Sequence, residues 1–164
     1  MLQKKVCVLG AFGVGKTTLV RRFVESIFSD TYLTTVGVKI DKKIVTVGAE
    51  AVTLVLWDIA GEDDTRSIRT SYVRGASGYF LVADGTRAET LEVASSIQAR
   101  LTADIGRLPF LLLINKADLA EDWDIASQPV ESLERDGWRV LRTSAKTGEG
   151  VEEAFQELAT RMVS

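Results

Sequence analysis

The nine residues "GAFGVGKTT", Gly10 to Thr18, have the composition of a loop that binds phosphate. Gly10, Gly15, Lys16 and Thr17 match the pattern G-x-x-x-x-G-K-[ST], directly after an apolar run and directly before a segment with helical spacing. Glycines in such a loop let successive backbone amides point at phosphate oxygens, and the following helix adds the positive end of its dipole. The stretch therefore predicts a site for the phosphate chain of a nucleotide.

Two side chains of this phosphate-binding loop (residues 10–17) carry further chemistry. Lys16 supplies a positive charge for the β- and γ-phosphates, and the Thr17 hydroxyl is suited to ligate a magnesium ion that bridges them. A glycine-rich turn without a ligand is the competing interpretation, and the position between strand and helix argues against it. The residues expected to contact the nucleotide here are Gly13, Val14, Gly15, Lys16, Thr17 and Thr18.

A second motif, "NKAD", indicates which base is bound. It follows the apolar run "FLLLI", and ligands of parallel α/β sheets bind beyond the carboxyl ends of the strands. The Asp118 carboxylate can accept hydrogen bonds from the ring N–H and the exocyclic amine of guanine, whereas adenine offers neither on that edge. With adenine, polar groups would be left unpaired, which would lower the binding affinity by several orders of magnitude. The predicted ligand is therefore GTP or GDP.

A third segment, "TSAKTG", follows the last apolar run. Its backbone amides are suited to bind the carbonyl oxygen that guanine has and adenine lacks, and Ala145 is small enough for a close approach. Alone, the segment would be an ordinary polar turn; its place after a strand favours a role in binding. The residues expected to contact the base are Asn115, Lys116, Asp118, Ser144, Ala145 and Lys146.

These motifs must be positioned by the elements between them. Strand-like runs occur at "KVCVLG", "VGVKIDKKIVTV", "AVTLVLWD", "GYFLVAD", "PFLLLIN" and "WRVLRTS". Segments with helical spacing occur at "KTTLVRRFVE", "SIRTSYVR", "AETLEVASSIQARLTADI", "PVESLERD" and "GVEEAFQELATRM". The alternation predicts an α/β domain with a mostly parallel sheet covered on both faces, and the short link "GAE" predicts one antiparallel edge.

Composition limits the function classes. The 164 residues are 46% hydrophobic, which fits one domain over residues 1–164. Twenty basic and 23 acidic residues give a net charge of -3, so no overall field would gather nucleic acid or an acidic membrane. Cys7 is the only cysteine and lies in an apolar run, which excludes an internal disulfide and predicts a buried thiol in a reducing compartment, the cytoplasm.

The motifs together resemble the Ras-like small GTPases, closest to the Rab branch, across essentially the whole chain. The quoted pieces "GAFGVGKT", "TTVGV", "WDIAGE", "NKAD" and "TSAK" occur in that family's order and spacing. The resemblance implies a P-loop G domain with a six-stranded sheet, about five helices, and bound GTP or GDP with magnesium. It also implies two switch loops that rearrange when the γ-phosphate leaves, and effector or regulatory proteins at residues 30–43 and 58–74.

Roles for the switch residues come from the resemblance alone. Thr35 would join the magnesium shell when the γ-phosphate is present, and Asp58 would hold the same ion, so the implied metal ligands are Thr17, Thr35 and Asp58. The Gly61 amide would contact the γ-phosphate. Phe28 would pack on the guanine and Tyr32 would close over the phosphates, with simple core packing as the alternative for both.

The sequence departs from the family at three places. Glu62 stands where the family usually has a glutamine that orients the attacking water, and the sign of the effect on hydrolysis is open. Phe12 occupies a position beside the γ-phosphate where relatives have a small residue; it either crowds an arginine from an activating protein or turns outward. No cysteine near the C-terminus offers a lipid site, as in a prokaryotic or otherwise non-lipidated member or a sequence without its tail.

Two functions remain open at this stage. The first is a molecular switch that hydrolyses GTP slowly with Lys16, Gly61 and Glu62 as the catalytic groups; the second is an interaction module that binds GTP and scarcely hydrolyses it. Within the first function, an arginine that follows the second switch, Arg66 or Arg69, is an alternative catalytic group, and a solvated helix surface is its competing interpretation. Three lysines after the first switch are suited to partner binding or to a solvated edge strand: Lys39, Lys42 and Lys43.

Overall fold

The computed structural model describes residues 2–24, 32–33, 38–59 and 70–163. The strands are β1 (Leu2–Gly10), β2 (Tyr32–Leu33), β3 (Val38–Val47), β4 (Glu50–Ile59), β5 (Gly78–Asp84), β6 (Phe110–Asn115) and β7 (Val140–Arg142). The α-helices are α1 (Lys16–Phe23), α2 (Thr70–Val73), α3 (Glu89–Ile105), α4 (Ser127–Arg135) and α5 (Val151–Val163). A 3-10 helix covers Ala117–Asp122.

All strands join one sheet in the order β2-β3-β4-β1-β5-β6-β7. Parallel pairing links β4, β1, β5, β6 and β7, while β3 runs antiparallel to β4 and β2 antiparallel to β3. The predicted α/β fold, its six strands, its antiparallel edge and its five helices are confirmed. The two-residue strand β2 extends the sheet to seven strands.

The hairpin that the short link "GAE" predicts is present, and its connection between β3 and β4 has two residues. Val47 pairs with Glu50, and Gly48 between them has a φ of 61°. This left-handed conformation suits the tight turns that match strand twist, and glycine adopts it without a steric penalty.

The sheet is covered on both faces because its central strands are apolar at successive positions. Val6 and Val8 of β1 face the cluster formed with α1 and α5, whereas Cys7 and Leu9 face the cluster formed with α3. Two stacked rings, Phe23 of α1 and Phe155 of α5, hold the first layer together with centroids 3.8 Å apart. The near-continuous hydrophobic runs of the sequence therefore correspond to strands buried on two sides.

The order in which strands are added to the sheet reverses at β1. From β1 the chain first forms β3 and β4 on one side and then β5, β6 and β7 on the other. Because β4, β1, β5, β6 and β7 are parallel, their carboxyl ends lie at one edge of the sheet. In open α/β sheets this edge, at the strand where the order reverses, is where ligands bind.

The structure also tests the prediction made for the Cys7 thiol. Cys7 is fully buried as predicted. Burial raises the pKa of its thiol to about 12, and the nearby charge of Lys5 offsets only part of this effect. The thiol is thus a packing group with little thiolate at neutral pH. None of the helices in the described ranges has the length and apolarity that a membrane span requires.

Candidate functional site

The phosphate-binding loop connects the end of β1 to the start of α1 and contains glycines with positive φ angles. Gly13 and Gly15 have φ angles of 78° and 99°, in the left-handed region that only glycine adopts at little cost. Ala11 and Val14 point into the core. Gly15 is the N-cap of α1 and supplies no side-chain cap, so the first amides of the helix have no partner from its own cap residue.

Three side chains converge where α1 meets the end of β4. The Thr17 hydroxyl donates a hydrogen bond to Asp58 Oδ2, and Lys16 Nζ lies 3.5 Å and 3.4 Å from the carbonyl oxygens of Gly10 and Ala11. Burial raises the pKa of Asp58, and the Thr17 hydrogen bond and the charges of nearby lysines lower it by less. Burial lowers the pKa of Lys16, and Asp58 partly offsets this. A buried ammonium and a buried carboxylate thus lie close enough to influence each other electrostatically.

Asn115, at the end of β6, connects two of the predicted motifs. Its Nδ2 donates to the Val14 carbonyl at 3.0 Å, and its Oδ1 accepts from the Thr143 hydroxyl and the Ala145 amide, both at 3.3 Å. The side chain is 2% exposed. A single buried amide therefore fixes the phosphate-binding loop against the segment after β7, an arrangement that the motif alone does not reveal.

The Asp118 carboxylate is held by the third motif. Ser144 Oγ donates to Asp118 Oδ1 at 2.7 Å and accepts from the Thr147 amide at 3.1 Å. Ser144 is fully buried, whereas Asp118 is exposed to solvent. The serine thus orients a carboxylate whose remaining acceptor positions face outward. Lys146 is also exposed.

Lys116 adopts a conformation that is costly for a residue with a side chain. Its φ is 72°, and it is the only non-glycine residue with a positive φ among those described. Its ammonium contacts Asp84 Oδ2 at 2.7 Å, and its carbonyl accepts a hydrogen bond from Trp123 Nε1 at 2.8 Å. Two contacts therefore hold the "NKAD" segment, residues 115–118 and called the base-binding loop below, in this shape.

Asp84 was not identified from the sequence as a site residue. It ends β5, is fully buried and accepts from the Thr86 amide and hydroxyl at 2.9 Å and 2.7 Å. Burial by itself would raise the pKa of Asp84, but the hydrogen bonds from Lys116 and Thr86 outweigh it and the pKa is lowered. Its position at the end of an apolar strand, like that of Asp58 and Asn115, was the available signal.

The described residues bring together the phosphate-binding loop, Asp58, "NKAD" and "TSAK", all at the carboxyl edge of the sheet. The Phe12 side chain is 69% exposed. The Tyr32 side chain lies outside the described part of the structure. So do the other switch residues named from the resemblance: Phe28, Thr35, Gly61, Glu62, Arg66 and Arg69.

The interpretation of the three lysines after the first switch as solvated is wrong for Lys39. Lys42 is exposed and Lys43 is half-buried with its ammonium 5.5 Å from an aromatic ring, but Lys39 is 1% exposed. Its Nζ lies 3.8 Å from Asp41 Oδ2 and has no hydrogen-bond partner in the described part of the chain. It pairs in register with Asp58. Adjacent carboxylates, and not solvent, therefore balance this charge.

Removing the Lys39 charge should destabilise the protein. In Lys39→Met the Asp41 carboxylate stays buried without its cation, and we expect the free energy of unfolding in urea to fall by about 3 kcal/mol. A second substitution, Asp41→Asn, should recover most of this loss. The same change at exposed Lys42 should cost less than about 0.5 kcal/mol. An equal loss of unfolding free energy at Lys39 and Lys42 would contradict a stabilising role for the buried Lys39–Asp41 pair.

Sequence comparison identifies the family to which this geometry belongs. The Ras family sequence model matches residues 5–164. The chain belongs to the Ras family. Ras-related protein Rab-4A of Rattus norvegicus is 37% identical over 163 residues, covering 98% of this chain and 74% of the relative. Ras-related protein Rab-13 of Bos taurus is 36% identical over 160 residues, covering 94% and 77%.

Membership in this family confirms the predicted function class. This Rab-like small GTPase binds guanine nucleotides and hydrolyses GTP to GDP and phosphate, as members of the Ras family do. The rival interpretation, a binding module that scarcely hydrolyses GTP, is not favoured by this relationship.

Proposed function

We propose that this small GTPase is a magnesium-dependent switch that hydrolyses GTP slowly. The observation that carries the proposal is the pairing of Thr17 with Asp58 next to the buried ammonium of Lys16. A hydroxyl, a carboxylate and a cation at the mouth of a phosphate-binding loop are the groups that hold a metal-chelated triphosphate.

The donor set fits magnesium. Thr17 and Asp58 both offer oxygen, which this hard cation prefers, and Asp58 is 3% exposed. No group of three or more histidine, cysteine, aspartate or glutamate side chains converges as a metal site within the described ranges. Magnesium usually takes one or two carboxylates and completes its shell with phosphate oxygens and water. When bound, it would neutralise charge on the phosphates, with Thr35 as the further ligand implied by the resemblance.

The phosphate chain would be held by the backbone of the loop. Gly13, Val14, Gly15 and Thr18 would contribute amides, and Lys16 would exchange its carbonyl contacts for the β- and γ-phosphates. Because the Lys16 charge is already desolvated, it interacts strongly with phosphate and needs little reorganisation.

The base would be read at the other end of the site. Asp118, oriented by Ser144, would accept two hydrogen bonds from guanine, and the amides of Ala145 and Lys146 would face its carbonyl oxygen. The Ala145 amide lies 3.3 Å from Asn115 Oδ1, a long contact that a better acceptor can replace. Asn115 and Lys116 serve mainly to hold these loops together.

Hydrolysis would depend on positioning and charge neutralisation, with the Gly61 amide at the γ-phosphate and Glu62 at the water. A carboxylate accepts a proton from water but donates no hydrogen bond to the γ-phosphate, which fits a slow reaction. The Phe12 ring is exposed, which supports the alternative in which it turns outward and leaves the rate unchanged. Phe28 and Tyr32 would close over base and phosphates, and partners would bind at residues 30–43 and 58–74.

Single-turnover release of γ-phosphate from the GTP-loaded protein tests this proposal. We expect release within hours, and its loss when EDTA removes magnesium. Phe12→Gly should change the intrinsic rate less than about threefold because the ring is exposed, whereas Glu62→Gln should change it about tenfold or more if that carboxylate contacts the water. Release that persists without magnesium, or none over a day, would contradict the proposal.

The cellular compartment of the protein is a further part of the proposal. The buried free thiol of Cys7 suits a reducing compartment, and we propose that the protein acts in the cytoplasm. Fractionation of the native host with an antibody to the folded chain would test this.

A further inference from the structure

Arg87 lies in the loop between β5 and α3 and contacts the phosphate-binding loop. Its Nη1 donates a hydrogen bond to the Phe12 carbonyl at 2.8 Å, across 75 residues of sequence. The same nitrogen lies 3.3 Å from the point where a Cβ on Gly13 would stand. None of the sequence motifs predicted this contact, and the proposed mechanism does not use it.

The contact acts on one peptide unit. The Phe12 carbonyl and the Gly13 amide belong to the same planar trans peptide, so they point in opposite directions. A donor that holds the carbonyl on the outside of the loop turns the Gly13 N–H toward the inside, where phosphate is expected. Since glycine populates both signs of φ about equally, the alternative orientation of this peptide is accessible and a restraint has an effect.

The guanidinium also polarises the peptide. A hydrogen bond from an ionised donor is about twice as strong as a neutral one, and a carbonyl that accepts it makes the attached N–H a better donor. The expected consequence is a stronger hydrogen bond from Gly13 to a phosphate oxygen. Arg87 itself stays outside the loop, with a side chain that is 37% exposed.

Arg87 is held in place by residues of the two elements that flank its loop. Its Nε donates to Glu89 Oε1 at 3.1 Å, its backbone amide donates to the Asp84 carbonyl at 2.9 Å, and its carbonyl accepts from the Thr90 hydroxyl at 2.7 Å. Asp84 in turn binds Lys116 of the base-binding loop. The last residue of β5 therefore contacts the site at its base end, and the loop that follows contacts it at its phosphate end.

We propose that Arg87 is a positioning residue for the phosphate chain, which fixes the Phe12–Gly13 peptide so that the Gly13 amide faces the nucleotide. The inference rests on the proposed binding of phosphate in this loop. The proposed role of Arg87 does not depend on a particular hydrolysis rate, because the Gly13 amide would contact GDP and GTP alike.

Binding of GDP and the ³¹P spectrum of the bound nucleotide test the proposal. Arg87→Ala should weaken GDP binding about tenfold, as expected for one charge-assisted hydrogen bond that is partly exposed, and should shift a phosphate resonance of bound GDP. Arg87→Lys, which keeps a charged donor, should restore part of the affinity and of the shift. Arg107→Ala removes an exposed arginine at the opposite end of the sheet and should leave both unchanged.

The outcomes separate this inference from the proposed function. If the unmodified protein binds GDP but Arg87→Ala matches Arg107→Ala in affinity and ³¹P shift, the positioning role is wrong and the switch proposal stands. A fall in thermal stability without a change in the resonances would assign Arg87 a structural role only and would also overturn the inference. If the unmodified protein shows no magnesium-dependent hydrolysis, the proposed function fails, while the Arg87 result remains interpretable from GDP binding.

Discussion

Replacing Asp118 by asparagine should change the base preference from guanine to xanthine. The carboxylate accepts from the ring N–H and exocyclic amine of guanine, whereas an asparagine amide presents an N–H to that amine and leaves donors facing each other. Xanthine carries a carbonyl in place of the amine and would accept from the new amide. A bound base would cover Asp118, and mismatched hydrogen-bonding groups shielded from water are costly, so we expect the ratio of GTP to xanthosine triphosphate affinity to fall about a thousandfold.

The structure indicates that this substitution leaves the surrounding loop intact. Ser144 Oγ donates to Asp118 Oδ1, and the asparagine carbonyl oxygen can accept the same hydrogen bond, so the loop should keep its conformation. Competition binding with a fluorescent guanine nucleotide, repeated with xanthosine triphosphate, measures the ratio. The matched control is Asp122→Asn, an exposed residue in the same 3-10 helix. An unchanged preference in Asp118→Asn would show that the base is read elsewhere.

The second large effect is expected at Gly15. A Cβ there would stand 2.3 Å from Asn115 Nδ2, which donates to the Val14 carbonyl, and the residue has a φ of 99°. An alanine must therefore displace the amide that joins the phosphate-binding loop to the base-binding loops, in addition to the strain of a left-handed conformation. We expect Gly15→Ala to weaken GDP binding at least about a hundredfold, because loss of both loops removes several hydrogen bonds.

Gly137→Ala is a matched control for this experiment. Gly137 has a φ of 97°, and a Cβ there would meet no atom within 4 Å. It should show the cost of the backbone strain, about 1–2 kcal/mol of stability, without loss of nucleotide affinity. Isothermal titration with GDP, corrected for the folded fraction from circular dichroism, compares the two. Equal affinities would contradict the role of Gly15 in the site.

The sequence determined the elements and the chemistry of the individual loops. Continuous apolar runs between helical segments predicted a parallel sheet with two covered faces, since strands buried on both sides need no polar positions. The glycines and lysine of "GAFGVGKTT" and the aspartate of "NKAD" indicated phosphate and guanine, because those residue types have few other uses at that spacing.

Only the tertiary structure decided how these pieces act on one another. The contacts of Asn115 with Val14, of Lys116 with Asp84 and of Arg87 with Phe12 join residues that are far apart in the sequence. The burial of Lys39 likewise follows from neighbouring strands, because the alternation of a strand places a side chain on a face but does not say what covers that face. Local sequence patterns encode what a segment can bind. The packing of the strands determines which segments come into contact and which charged side chains are buried away from solvent.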